Sequence, residues 1–161
     1  MAEEEHVKRL EAFLDDIIIG ELGKVQGISL TCMHFVLMGQ AIEVLGGFLD
    51  NKPSKAKHQG AKRFAAGINK LLGGRYRLAN ENNELYQCLR NQMTHTFTPG
   101  KGLLLLNRAD AAPGIRHLDK IGDKRVLIAE DFYEDICGAA IRLKQTFREN
   151  GKFLKKITYN K

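Results

Sequence analysis

Apolar residues recur every three to four positions over most of the chain, the spacing that puts them on one face of a helix. They give way to short, strand-length runs only between about residues 102 and 129. The first periodic stretch, residues 3–22, aligns Val7, Leu10, Leu14, Ile17, Ile18 and Leu22, with Glu3, Glu4 and Glu5 set against the positive end of the helix dipole. Gly23 and Gly27 are expected to end it. A second helix is expected to start at Ser29 or Thr31, either of which can cap it, and stays apolar nearly all round until Asn51 and Pro53 close it. A helix of that kind belongs in the middle of a bundle. Ser54 is the expected cap of a third helix, which carries Phe64, Ile68, Leu71 and Leu72 on a narrow stripe and stops at Gly73-Gly74. Asn80, followed by Glu81 and Glu84, opens a fourth, whose Leu85, Leu89 and Met93 recur every fourth residue before Pro99-Gly100 ends it.

The pattern then changes. Residues 103–106, 115–121 and 125–129 are apolar or alternating runs of strand length, and Gly122-Asp123 suits a tight hairpin turn. Residues 110–114 read as a loop. A last helix over residues 130–150 has acids at its start, Lys144 and Arg148 near its end, and Phe132, Ile136, Ala140, Leu143 and Phe147 on its inner face. The basic stretch 151–161 reads as a frayed tail. These elements predict one mainly α domain over residues 1–161: a four- to five-helix bundle with a small antiparallel β meander inserted at about 102–129, before the last helix.

At 161 residues and 43% apolar content the chain can fill one hydrophobic core. Its longest apolar stretch, residues 28–49, is interrupted by His34, Gln40 and Glu43, and a charged group in hydrocarbon costs on the order of 2.5–3.5 kcal/mol. That argues for a core helix and against membrane insertion. The acidic start lacks the basic-then-apolar plan of a targeting segment, so the expected location is cytoplasmic. Cys32, Cys88 and Cys137 lie in separate apolar segments without a Cys-x-x-Cys spacing, and are read as buried, reduced thiols.

Charge is distributed unevenly. Residues 1–50 hold three bases against nine acids, whereas residues 51–80 hold eight bases and no acid. An acid-free basic stretch is an electrostatic footprint for phosphate, which makes Lys57, Lys62, Arg63, Lys70, Arg75 and Arg77 candidate nucleic-acid contacts. The plainer reading is a solvated face that keeps the protein in solution.

Several chemistries find no support. Gly46-Gly47 and Gly73-Gly74 lack the strand-loop-helix setting of a phosphate loop, and His6, His34, His58, His95 and His117 have no ligand-type partner at helical spacing, so neither a cofactor nor a metal is expected. Gln40 and Glu43, one turn apart on the buried helix, can form a polar pocket, though Glu43 reads more simply as a satisfied bundle residue. What remains is Arg90-Asn91 followed by His95, near the end of the fourth helix. Asn91 and His95 are four apart and share a helix face, with Arg90 on the neighbouring strip. An Asn91 hydrogen bond to one ring nitrogen would select the His95 tautomer and leave the other for proton transfer, and Arg90 offers a fork of donors that fits phosphoryl oxygens. The plainer alternative has His95 answering the helix C-terminal dipole and Arg90 solvated on the surface.

These residues resemble the HEPN superfamily, helical bundles marked by Arg, four to six intervening residues and His near the end of a late helix, with a polar residue favoured after the Arg. The resemblance covers residues 1–100 and the last helix; the β insertion is not a general feature of the family. It implies metal-independent endoribonuclease activity, in which the 2′-hydroxyl attacks the adjacent phosphate and leaves a 2′,3′-cyclic phosphate. His95 would then move protons, Arg90 would stabilise transition-state charge and Asn91 would orient His95. It also implies a homodimer, because active members bring two motifs together. The alternative it carries is a non-catalytic module that binds a partner protein, such as a nucleotidyltransferase antitoxin, or a nucleotide.

Overall fold

The computed structural model of the chain describes residues 2–28, 30, 32–150 and 159. It is mainly helical with a small three-stranded sheet. The helical runs are α1 (residues 2–26), α2 (Met33–Gly47), α3 (residues 60–72), α4 (Gly74–Ala79), α5 (residues 84–96) and α6 (Ala129–Asn150). The strands are β1 (Leu103–Leu106), β2 (Lys120–Ile121) and β3 (Lys124–Ile128). Among the described residues no helix is long and apolar enough to cross a membrane.

One cluster of buried side chains runs through these elements, from Leu10 and Leu14 on α1, through Phe35, Met38 and Ile42 on α2 and Leu85, Leu89 and Met93 on α5, to Phe132, Ile136, Ala140, Leu143 and Phe147 on α6. The inner faces of α5 and α6 are those the periodicity assigns. Helix α2 is the hub, packed against α1, α3, α5 and α6. Two glycines set its closest approach: a Cβ at Gly46 would fall 1.8 Å from the Arg63 carbonyl oxygen, and one at Gly67 would fall 2.6 Å from the Ile42 oxygen. Only bare backbone fits at that crossing.

Helix boundaries depart from the local signals wherever a tertiary contact outweighs them. Gly23 does not end α1, which continues to Gln26; it is a landing site for Tyr133, whose hydroxyl donates to the Ile19 carbonyl at 2.6 Å. Ser29 and Thr31, the expected caps of α2, lie outside the described residues, and α2 stops at Gly47, before Asn51 and Pro53. Ser54 does not cap α3. Helix α3 begins at Gly60, and the Pro53 and Ser54 carbonyls instead accept from Arg63, each at 2.8 Å. Asn80 likewise precedes a break: Asn82 and Asn83 take φ of 53° and 60°, a conformation asparagine tolerates better than most residues, so α5 proper begins at residue 84. The Asn80 carboxamide oxygen still accepts the Tyr86 N–H at 2.9 Å. At the far end α5 closes at Thr96 on a left-handed Phe97 (φ 55°), two residues before Pro99.

The sheet is mixed, which corrects the expected antiparallel meander. Strand β3 lies in the middle: β1 pairs with it in parallel, Leu103 opposite Arg125 and Leu106 opposite Ile128, and β2 pairs antiparallel across the Gly122-Asp123 turn. Gly122 has the positive φ (61°) that turn needs. The expected strand at 115–121 shrinks to its last two residues because the preceding segment bends inward to bury His117 and Leu118, the latter at φ 69°. The cysteines are free but half-buried, short of the full burial expected. Of the tail 151–161 only Tyr159 is described; its hydroxyl donates to Asp16 at 2.9 Å and its ring meets Phe13 edge-on. The frayed reading of the other tail residues falls outside the described residues.

Candidate functional site

Arg90, Asn91 and His95 lie on α5, with the neighbouring Leu89 and Met93 fully buried. The Gln92 N–H bonds the Gln87 oxygen five residues back, so the turn carrying Arg90 and Asn91 is wider than an α-turn. Arg90 stays nearer the buried face of Leu89 than α-helical spacing would put it. Helix α2 comes close here because Gly39 has no side chain; a Cβ would lie 3.3 Å from Leu89 Cγ and 3.5 Å from Arg90 Cα. One turn along α2 from Gly39, Glu43 reaches the arginine: Glu43 Oε2 sits 2.8 Å from Arg90 Nε, the two side chains only 18% and 16% exposed. Neither atom has an aligned hydrogen bond among the described residues, so the contact is an ion pair across the α2–α5 seam. Arg90 Nη1 donates to Thr94 Oγ1 at 2.7 Å, and the Thr94 hydroxyl donates back to the Arg90 carbonyl at 2.6 Å.

His95 is exposed. The expected Asn91 hydrogen bond to it does not form; the Asn91 amide donates to Gln87 Oε1 at 3.0 Å, one turn back along the helix. The tautomer-selecting role therefore has no geometric basis in this structure. Arg90 is also not the solvated surface residue of the plainer reading, since its Nε and Nη1 are engaged and only Nη2 has no protein partner among the described residues. Beyond His95, Phe97 is 59% exposed.

The polar pocket suggested by Gln40 and Glu43 exists. A cavity of about 150 Å³ is lined by both, together with Val44, Phe48, Ser54 and Arg63. Gly60 covers this region, because a Cβ there would fall 2.8 Å from the Tyr86 hydroxyl and 3.3 Å from Glu43 Oε2. Arg63 is 8% exposed and holds the 50–59 loop through Asp50 Oδ2 at 2.8 Å and the Pro53 and Ser54 carbonyls. Its fork is fully used, which removes it from the candidate nucleic-acid contacts. Arg75 is half committed, donating to the His117 carbonyl at 2.7 Å and to Asp119 at 3.3 Å. Lys57, Lys62, Lys70 and Arg77 are exposed. The basic stretch is therefore a smaller free-cation surface than its sequence suggests.

A second polar cluster had no local signal. The Ile128 N–H donates to His117 Nδ1 at 2.9 Å, which leaves Nε2 carrying the proton. Nε2–H faces the Tyr76 hydroxyl at 2.8 Å, and that hydroxyl donates to Asp135 Oδ2 at 2.7 Å. The imidazole is 5% exposed and stacks on Phe132 at a 27° tilt. Burial holds its pKa down to about 4, against an opposing pull from Asp135, and burial with the neighbouring Asp135 charge pushes the Tyr76 phenol well above its ordinary value. Helix α4, strand β3, helix α6 and the segment before β2 meet there, through residues spread from Tyr76 to Asp135. His34 is buried too, and neither ring nitrogen has a hydrogen-bond partner among the described residues; burial lowers its pKa. Among the described residues no group of three His, Cys, Asp or Glu is gathered tightly enough to hold a metal.

Comparison of the chain with protein-family models, with curated proteins and with solved structures finds no match.

Proposed function

We propose that the chain is a HEPN-like, metal-independent endoribonuclease that acts on RNA as a homodimer. The observation that carries the reading is the end of α5: a guanidinium held on two sides, Nε by Glu43 and Nη1 by Thr94, with an exposed imidazole five residues further on. An arginine with Nη2 unengaged can meet phosphoryl oxygen, and an exposed imidazole is open to a substrate. Lys57, Lys62, Lys70 and Arg77 would draw the RNA backbone. Exposed Phe97 beside the motif is the kind of group a second copy would cover, and a second copy would supply the second motif.

The experiment is cleavage of single-stranded RNA by the wild-type protein in excess chelator, with native mass measured alongside. The reading expects a dimer and products ending in 2′,3′-cyclic phosphate. The alternative, a non-catalytic module that binds an antitoxin-like protein or a nucleotide, is favoured by the Asn91–Gln87 bond, which leaves His95 unoriented. An inert wild-type dimer would make that alternative the better account.

A further inference from the structure

We infer that Glu43 and Thr94 are positioning residues for Arg90, fixing its guanidinium so that Nη2 is presented to a phosphate; the inference rests on the ribonuclease reading above. Arginine has several free torsions, and an unrestrained side chain would have to be ordered at the moment of reaction. Here the ordering is done beforehand. Glu43 Oε2 lies 2.8 Å from Nε, and Thr94 Oγ1 accepts Nη1–H at 2.7 Å while its own proton goes to the Arg90 carbonyl at 2.6 Å. One hydrogen bond at Nη1 and one charge contact at Nε restrain the orientation of the group.

Glu43 is committed to this task. Arg63, the buried guanidinium that lines the cavity with Glu43, takes its counter-charge from Asp50, and the cation within ion-pair distance of Glu43 is Arg90. Backbone geometry supports the pair from both sides, since Gly39 lets α2 and α5 close up and Gly60 lies over the carboxylate. A pair drawn this far out of water gives little net stability, because desolvation of both charges offsets their attraction. Its consequence is orientation.

The test is single-turnover RNA cleavage and RNA affinity for Glu43→Gln and Thr94→Val, each alone and with Arg90→Lys. Glu43→Gln should slow cleavage about 10- to 100-fold, the cost of misplacing a reacting group, with little change in affinity. Thr94→Val should slow it about three- to tenfold, the worth of one hydrogen bond. Against Arg90→Lys both effects should vanish, because an ammonium has no plane to fix; a purely structural role would persist there. Thr94 is exposed, so its variant keeps the test open if Glu43→Gln fails to fold. Cleavage by both variants within twofold of an active wild type would overturn this inference alone. An inert wild type would overturn the ribonuclease reading and this inference with it.

Discussion

His95 and His117 differ in the properties that decide whether an imidazole can move protons. His117 is buried, stacked on Phe132, and bonded at both nitrogens, so its tautomer is fixed and its pKa is held down to about 4. It holds the segment before β2 to β3, α4 and α6, and has no access to a substrate. His95 is exposed at the end of α5, within a few residues of an arginine whose orientation is set by Glu43 and Thr94. The comparison separates a histidine that the fold consumes from one that the fold leaves available. Hydrogen bonding and burial make that distinction, and neither is visible from residue type.

The comparison sharpens most under acid. His117 has a folded pKa of about 4 against 6.5 for a free side chain, so its neutral form is the one the fold prefers. The stability this confers is complete above pH 6.5 and is lost as pH falls toward 4, about 3 kcal/mol in all at roughly 1.4 kcal/mol per pH unit. Buried His34, whose pKa is also lowered, adds in the same direction. Urea unfolding at pH 7 and pH 4.5 should show this loss, and His117→Gln should flatten the pH dependence while lowering stability at pH 7. A wild-type profile without the decline would mean that His117 is not buried neutral.

The other side of the comparison depends on the α2–α3 crossing that delivers Glu43 beside Arg63 and Arg90. Gly46→Ala places a methyl 1.8 Å from the Arg63 carbonyl oxygen, a backbone atom that cannot swing aside. Overpacking of this kind costs about 1–3 kcal/mol, and chemical denaturation should show it. A neutral result would mean that the crossing relaxes freely and the Glu43–Arg90 seam is not fixed by it. The smallest effect is expected at the surface: Lys62→Glu with Lys70→Glu should weaken RNA binding and flatten its salt dependence, the fold being unaffected. Unchanged affinity and salt slope would assign that face to solubility.

The inner faces were legible from sequence, since Leu85, Leu89 and Met93 on α5 and Phe132, Ile136, Ala140, Leu143 and Phe147 on α6 recur at helical spacing and are all buried. The hairpin was legible from Gly122-Asp123. What escaped was set by contacts between distant residues. Gly23 reads locally as a stop but receives Tyr133 from 110 positions away in the chain, and the start of α3 is fixed by Arg63 reaching back to Pro53 and Ser54. Parallel pairing of β1 with β3 has no short-range signature, and periodicity alone suggests a meander. At the candidate site, Arg90 and His95 were readable as a motif, and Thr94 could have been added as a residue four beyond Arg90 on the same helix. The Glu43 pairing could not, because it depends on how closely Gly39 lets two helices approach. Arg63 was misassigned for a related reason: a cation in a basic run reads as exposed until its carbonyl partners are seen.

Acid–base chemistry on RNA at the end of α5, as proposed, is best tested by single-turnover cleavage in chelator by wild type and His95→Ala, side by side. Cyclic-phosphate products are expected from the wild type, with a loss of about 10²- to 10⁴-fold in the variant, the usual contribution of a positioned proton-transfer group, and an unchanged melting temperature because His95 is exposed. Equal cleavage by the two proteins, or wild-type cleavage abolished by the chelator, would contradict it.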